Sequence, residues 1–282
     1  MRADCHIHMV LDGENWKAAI ARHKNGPDEA WIRKTLELYR EKGFTYLRDG
    51  GDRWGAGKCV RKLSKDYGIT YLTPLAPLCR EGHYGGFIGR KFGDLREYRG
   101  LVEETREEGG DFIKVMISGL MDFDECGRLT EAGLSDTEIQ EMIHIAHEEG
   151  FSVMAHANGA RVVRAAAAAG VDSVEHGAYL DDEALAAMAE NGVVWCPTLS
   201  TIGNLRGKGR FREEAVRDIL RTAQENVGKF AALGGLIAPG DDAGAWAVPH
   251  GCDTEEGLLR EVLGVRTEAT LNRGIRAIME KF

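Results

Sequence analysis

The sequence predicts an α/β fold, a (β/α)8 TIM barrel occupying residues 1–282 as a single domain, and three observations carry that prediction. Short apolar runs alternate with helical stretches eight times along the chain. The length of 282 residues suits a fold of that repeat number. Polar residues of metal-ligand type recur at the ends of several runs, where such a barrel gathers its chemistry.

The first run, about Ala3 to Val10, contains Asp4-Cys5-His6-Ile7-His8. Side chains two apart on a strand share a face, so His6 and His8 can converge on one cation while Ile7 packs the other way. A helix does not present that spacing on one face. A helix of about Asp28 to Lys42 follows, with Trp31, Leu36 and Leu38, closed by Gly43. Strand two, Phe44 to Leu47, leads into Arg48-Asp49-Gly50-Gly51 and a helix of about Ala56 to Asp66. Strand three, Ile69 to Leu75, ends among Pro74 and Pro77, and a helix of about Asp94 to Glu108 precedes strand four, Phe112 to Ile117. Ser135-Asp136-Thr137-Glu138 has the form of a capping box and opens the next helix. Strand five, Phe151 to His156, and strand six, Val171 to His176, both end in histidine. Between them the Ala165 to Ala169 run favours a helix that sits close to a sheet. Asp181 and Asp182 open the helix ending near Asn191, strand seven covers Val193 to Leu199, and strand eight, Leu236 to Ala238, runs into Asp241-Asp242.

Composition narrows the function classes. At 43% hydrophobic and 29% charged the chain is globular, and a net charge of -9 argues against nucleic acid or an anionic membrane as the main partner. A small-molecule substrate fits better, and homo-oligomerisation is left open. The six cysteines lack any Cys-x-x-Cys pair, and the N-terminus shows no apolar export signal, so free thiols in a cytoplasmic setting are expected. A doubly wound open sheet would also alternate strands and helices, but no Gly-x-Gly-x-x-Gly follows the first strand. The segment Trp54 to Cys59 only faintly resembles a phosphate loop, because a glycine is missing and Cys59 replaces Ser or Thr.

Lys114 interrupts the apolar strand Phe112-Ile113-Val115-Met116-Ile117. An unpaired ammonium is strongly disfavoured inside a barrel, so this side chain must pair, lose its proton or be modified. By strand parity, if Ile113 and Val115 meet the outer helices, Lys114 points inward towards His6 and His8. Cys5 faces away from them and reads as a core thiol. His144 and His147 share a helix face outside the barrel, and His23 and His250 read as loop residues.

Taken together, Asp-Cys-His-Ile-His, Ile-Lys-Val-Met-Ile-Ser-Gly, Ala-His-Ala-Asn-Gly, Val-Glu-His-Gly, Cys-Pro-Thr-Leu and Gly-Asp-Asp-Ala-Gly resemble the amidohydrolase superfamily, in its order from strand one to strand eight. The branch most resembled holds imidazolonepropionases and Xaa-Pro dipeptidases. The resemblance implies two divalent metal ions, zinc (Zn2+) first among them, with His6, His8 and Asp242 on one, His156 and His176 on the other, and N-carboxylated Lys114 bridging. It implies hydrolysis of an amide-like C–N bond in a dipeptide, N-acyl amino acid or cyclic amide by a metal-bridging hydroxide. Asp242 would shuttle the proton to the leaving nitrogen. The flanking β-sandwich of the superfamily is expected to be absent or much reduced. Asp241 takes a position that usually holds a hydroxyl residue, and Asn158 stands where many relatives have a carbonyl-polarising tyrosine. His83 is the candidate for that task. Arg80, Arg90, Arg206 and Arg210, in loops after strands three and seven, are candidates for a substrate carboxylate, one or two of them at most in contact. A metal-binding barrel without turnover, and a metal-dependent isomerase or decarboxylase, are the alternatives.

Overall fold

The computed structural model describes residues 2–282, and their strands form two parallel sheets. The first has the order β1 (Arg2–Ile7), β2 (Phe44–Asp49), β3 (Thr70–Leu72). The second contains β4 (Leu78–Arg80), β5 (Arg90–Phe92), β6 (Ile113–Met116), β7 (Val153–Ala157), β8 (Ser173–His176), β9 (Val194–Cys196) and β10 (Leu236–Ile237). Its order is β10-β9-β8-β7-β6-β4-β5. Backbone hydrogen bonds connect the two sheets. Cys5 N–H donates to the Pro239 carbonyl (2.9 Å), Asp242 N–H to His6 (2.7 Å) and His8 N–H to Ala243 (2.7 Å), so the segment after β10 runs beside β1. At the opposite seam Asp111 N–H donates to the Thr73 carbonyl (3.0 Å).

All eight strands read from the sequence have counterparts, most with shorter bounds where the chain turns early, while strand two runs on to Asp49. Strand seven stops at Cys196, since Thr198 adopts a left-handed conformation (φ 49°) before the short helix Ser200–Gly203. The helix expected over Ala56 to Asp66 is α-helical over Ala56–Leu63 and tightens to a 3-10 turn over Ser64–Tyr67. Strands β4 and β5 are additions within the loop after β3. The faint phosphate-loop likeness is overturned by Asp52, whose carboxylate accepts from the N–H groups of Trp54, Ala56 and Gly57, where an anion would have to bind.

Alternation along β1 sorts its side chains. Ala3, Cys5 and Ile7 enter the apolar clusters, while His6 meets Glu175 and Lys114 on the other face. On β6, Ile113 and Val115 pack in the same cluster as Ile139, Met142 and Ile143 of the helix Asp136–Glu148, which leaves Lys114 turned inward. That helix starts in a capping box, Ser135 with Glu138, worth about 1 kcal/mol. Asp28, Asp94 and Asp181 cap three others. Among the described residues no helix is long and apolar enough to cross a membrane.

Candidate metal centre

The C-terminal ends of β1, β6, β7, β8 and the segment after β10 meet at one cavity of about 590 Å3, whose lining includes His6, His8, Lys114, His156, His176 and Asp242. Residues far apart in sequence are thus gathered on one wall. Three of them, His6, His8 and Asp242, are buried and offer ligand atoms within 4.8 Å of one another. Asp242 Oδ1 lies 3.2 Å from His8 Nε2 and 3.5 Å from His6 Nε2. That oxygen is buried without a hydrogen-bond partner. A buried carboxylate facing imidazole nitrogens with no donor between them is a donor set that fits a cation. The His6 and His176 rings are 5.1 Å apart and the His156 and His176 rings 4.6 Å apart. Lys114 Nζ reaches to 3.5 Å from His6 Nε2.

The groups behind the histidines occupy one ring nitrogen of each. His6 Nδ1 lies 2.9 Å from Glu175 Oε2, which turns Nε2 to the side of Lys114 and Asp242. His176 Nδ1 meets Thr198 Oγ1 at 2.8 Å, freeing Nε2. His156 instead directs Nε2 to the Gly119 carbonyl at 3.1 Å, so its free nitrogen is Nδ1. Burial, with the nearby Lys114 charge, holds His6 well below the usual histidine range and His156 at about 3. Burial and the His156 charge do the same to His176. All three are therefore neutral, the form in which imidazole can ligate. Burial also pushes Lys114 down to about 8, against the opposing pull of Glu175 and Asp242. Two of these residues carry backbone strain: His176 (φ 68°) and Asp242 (φ 57°) are left-handed, a conformation that costs non-glycine residues energy.

Not every expected residue reaches the cavity. Of the four arginines, Arg210 lines it, stacked 4.3 Å from the Trp246 ring centroid. Arg80 is drawn off by the Gly93 carbonyl and Glu138, Arg90 by Glu104 and Glu108, and Arg206 by the Gly203 carbonyl. Arg80 and Arg90 have thus paired their charge elsewhere, and Arg206 is exposed with its Nε on the backbone. His83 also lies outside the lining; its side chain is 37% exposed and approaches Glu131 at 3.7 Å. The neighbouring Tyr84 lines the cavity instead, its ring 4.9 Å from that of His156. Asn158 is present in the lining, yet its amide is committed: Nδ2 donates to the Gly119 carbonyl and Oδ1 accepts from Ala178 N–H. His23, expected in a loop, ends the helix Trp16–His23 and is buried against Trp31.

Sequence reasoning missed a buried ion pair beneath the site. Arg48 of β2 donates to Glu175 Oε1 (2.8 Å), to Ser173 Oγ (2.9 Å) and to the Cys5 carbonyl (2.8 Å). Glu175 therefore contacts Arg48 with one oxygen and His6 with the other. The signal that singled out Lys114, a charge inside an apolar strand, applies equally to Glu175 in Val171 to His176.

No family model matches the chain. An uncharacterised protein of Mycobacterium tuberculosis is 29% identical over 275 residues, covering 95% of this chain and 70% of the relative. Ochratoxinase of Aspergillus niger is 30% identical over 280 residues, covering 84% of this chain and 57% of the enzyme. Among solved structures, an amidohydrolase superposes with a TM-score of 0.80 at 23% identity, over 98% of this chain and 73% of its own. A Xaa-Pro dipeptidase with methionine bound in its active site gives a TM-score of 0.75 at 21% identity, over 96% and 72%. At these identities the superpositions establish the fold.

Proposed function

We propose, from a chain whose fold is that of the amidohydrolase superfamily, with Xaa-Pro dipeptidase, prolidase and ochratoxinase structures as neighbours over most of its length, that the protein is a two-metal hydrolase of an amide-like C–N bond. The two sheets are read as one (β/α)8 barrel, closed where β1 meets the segment after β10. The observation that carries the activity is the buried His6, His8 and Asp242 set, with His156, His176 and Lys114 on the same wall.

His6, His8 and Asp242 would hold one divalent ion, His156 and His176 the other, and carboxylated Lys114 would lie between them. Bound there, the ions supply Lewis acidity for a carbonyl and lower the pKa of water. Asp242 Oδ1, free of any donor, is placed to take a proton and deliver it to the leaving nitrogen. The cavity lining is also aromatic, with Trp16, Phe87 and Phe123, and with Phe211 and Trp246 beside Arg210. That combination suits a small substrate with a bulky apolar group and a carboxylate, such as a dipeptide or an N-acyl amino acid. The test is elemental analysis of the purified protein together with an assay for released amine across a library of those two classes. Metal-loaded protein that releases amine from none of them would overturn this reading.

Two variants probe separate parts of it. Arg210→Met is expected to raise KM for carboxylate-bearing substrates by ~10-fold or more with kcat nearly unchanged, the scale of one charge-assisted hydrogen bond. Arg80→Met, Arg90→Met and Arg206→Met should leave KM alone, and an unchanged KM in Arg210→Met would remove the arginine from the substrate site. Gly50→Ala tests His8: a Cβ at Gly50 would sit 2.3 Å from the His8 ring. The ring must move, and metal content measured by elemental analysis is expected to fall; full occupancy would show that His8 is not needed as a ligand.

A further inference from the structure

We propose that Tyr84 is a catalytic residue, whose phenol donates a hydrogen bond to the oxygen of the scissile carbonyl. This rests on the reading of the cavity as an amide-hydrolysing site and assigns a task that reading leaves without a residue. The ring of Tyr84 tilts 40° against His156 at a centroid distance of 4.9 Å, on the wall shared by Asp242 and the other histidines.

The loop is built to hold it there. Tyr84 N–H donates to Glu131 Oε1 at 2.7 Å, tying the loop to the segment that precedes the helix Asp136–Glu148. The next residue, Gly85, is left-handed (φ 105°), and a Cβ there would come within 2.6 Å of Met116 Cγ. Only a glycine lets the backbone press onto the end of β6, the strand that carries Lys114.

Two other donors of the lining are already engaged. The Asn158 amide bonds to Gly119 and Ala178, and the Thr201 hydroxyl donates to the Thr198 carbonyl. Arg210 stands at the rim on Trp246. Among the described residues the Tyr84 hydroxyl has no hydrogen-bond partner; the buried hydroxyls of Tyr46, Tyr71 and Tyr179 share that lack, but Tyr84 is the tyrosine that lines the cavity. Water meets the Tyr84 hydroxyl while the cavity is open. Once substrate displaces that water the phenol needs an acceptor, and a carbonyl oxygen beside the histidines provides one. The proton stays on the phenol throughout. Negative charge develops on the carbonyl oxygen as the tetrahedral carbon forms, which strengthens the bond, so its contribution falls in kcat more than in KM.

The experiment is Tyr84→Phe in the metal-loaded protein, assayed on the best dipeptide or N-acyl amino acid found for the wild type. Expected are a fall in kcat of ~100-fold, as for loss of one oxyanion donor, with KM and metal content held. A phosphonyl amino acid, imitating the tetrahedral carbon, should bind more weakly by a similar factor. A variant that keeps its kcat within about threefold overturns the role of Tyr84 and leaves the hydrolase reading standing. Loss of metal along with activity also overturns it, since Tyr84 would then support the site without touching substrate. A metal-loaded wild type that hydrolyses nothing in the library removes the hydrolase reading and this inference together.

Discussion

Lys114→Ala is expected to fold, to lose the two-metal site proposed above, and to lower kcat/KM by at least ~100-fold, a loss that removing even an outer-shell partner of a metal ligand can reach. The side chain is 1% exposed and faces His6 Nε2 at 3.5 Å. As an ammonium it would repel a cation held by His6, His8 and Asp242. As a neutral amine it can take up carbon dioxide, forming an N–C bond, releasing one proton and ending as an anionic carbamate with two oxygens. Burial brings the amine to about 8, so the reactive neutral form is a substantial fraction just above neutrality. The sign of the pH dependence follows. Below about 8 the neutral fraction falls tenfold per unit, so metal-dependent reactivation of the metal-free protein at fixed dissolved carbon dioxide should slow in step and level off above that pH. Short carboxylic acids are expected to restore part of the activity of Lys114→Ala, whereas Lys114→Arg stays cationic and should be inactive. Density for a bare amine beside two fully occupied metals would sink the proposal, as would reactivation equally fast at pH 6 and pH 8.

The second large effect is on stability. Arg48→Met is expected to cost about 3–5 kcal/mol, because it leaves the Glu175 carboxylate fully buried without its partner. For a chain of this size that corresponds to a fall in Tm of roughly 10 °C. Arg48 also lies over the Phe282 ring at 4.4 Å, so part of the loss is packing. The double variant Arg48→Met with Glu175→Gln should recover much of the stability, since no unpaired charge remains. Its metal affinity should nevertheless stay below that of the wild type, because the neutral amide that replaces the Glu175 carboxylate no longer places an anion beside His6 Nδ1. Chemical denaturation of the wild type, the two single variants Arg48→Met and Glu175→Gln, and the double variant measures the cycle. A loss under about 1 kcal/mol in Arg48→Met would show that the pair is solvated or rearranged, contrary to its burial.

The sequence by itself determined the repeating strand and helix pattern and the strand ends at which the metal-ligand candidates lie. Period-two alternation is a local property, so the inward turn of Lys114 and the shared face of His6 and His8 followed from their neighbours. Helix starts were legible for the same reason: the Ser135 capping box and the Asp181 cap are complete within four residues. Tertiary structure decided the rest. β4 and β5 are three residues each, with Arg80, Arg90 and Lys91 among them, too short and too charged to show any periodicity. The destination of a long arginine depends on which carboxylate or carbonyl lies nearest, as Arg80 and Arg90 show, and that neighbour is set by packing. His83 and Tyr84 are adjacent in one loop, and which of them enters the cavity is set by tertiary packing, with Gly85 pressed onto Met116 and Glu131 contacting both residues. Arg48 and Glu175 stand 127 residues apart, and only the stacking of the strands around a common interior makes them a pair.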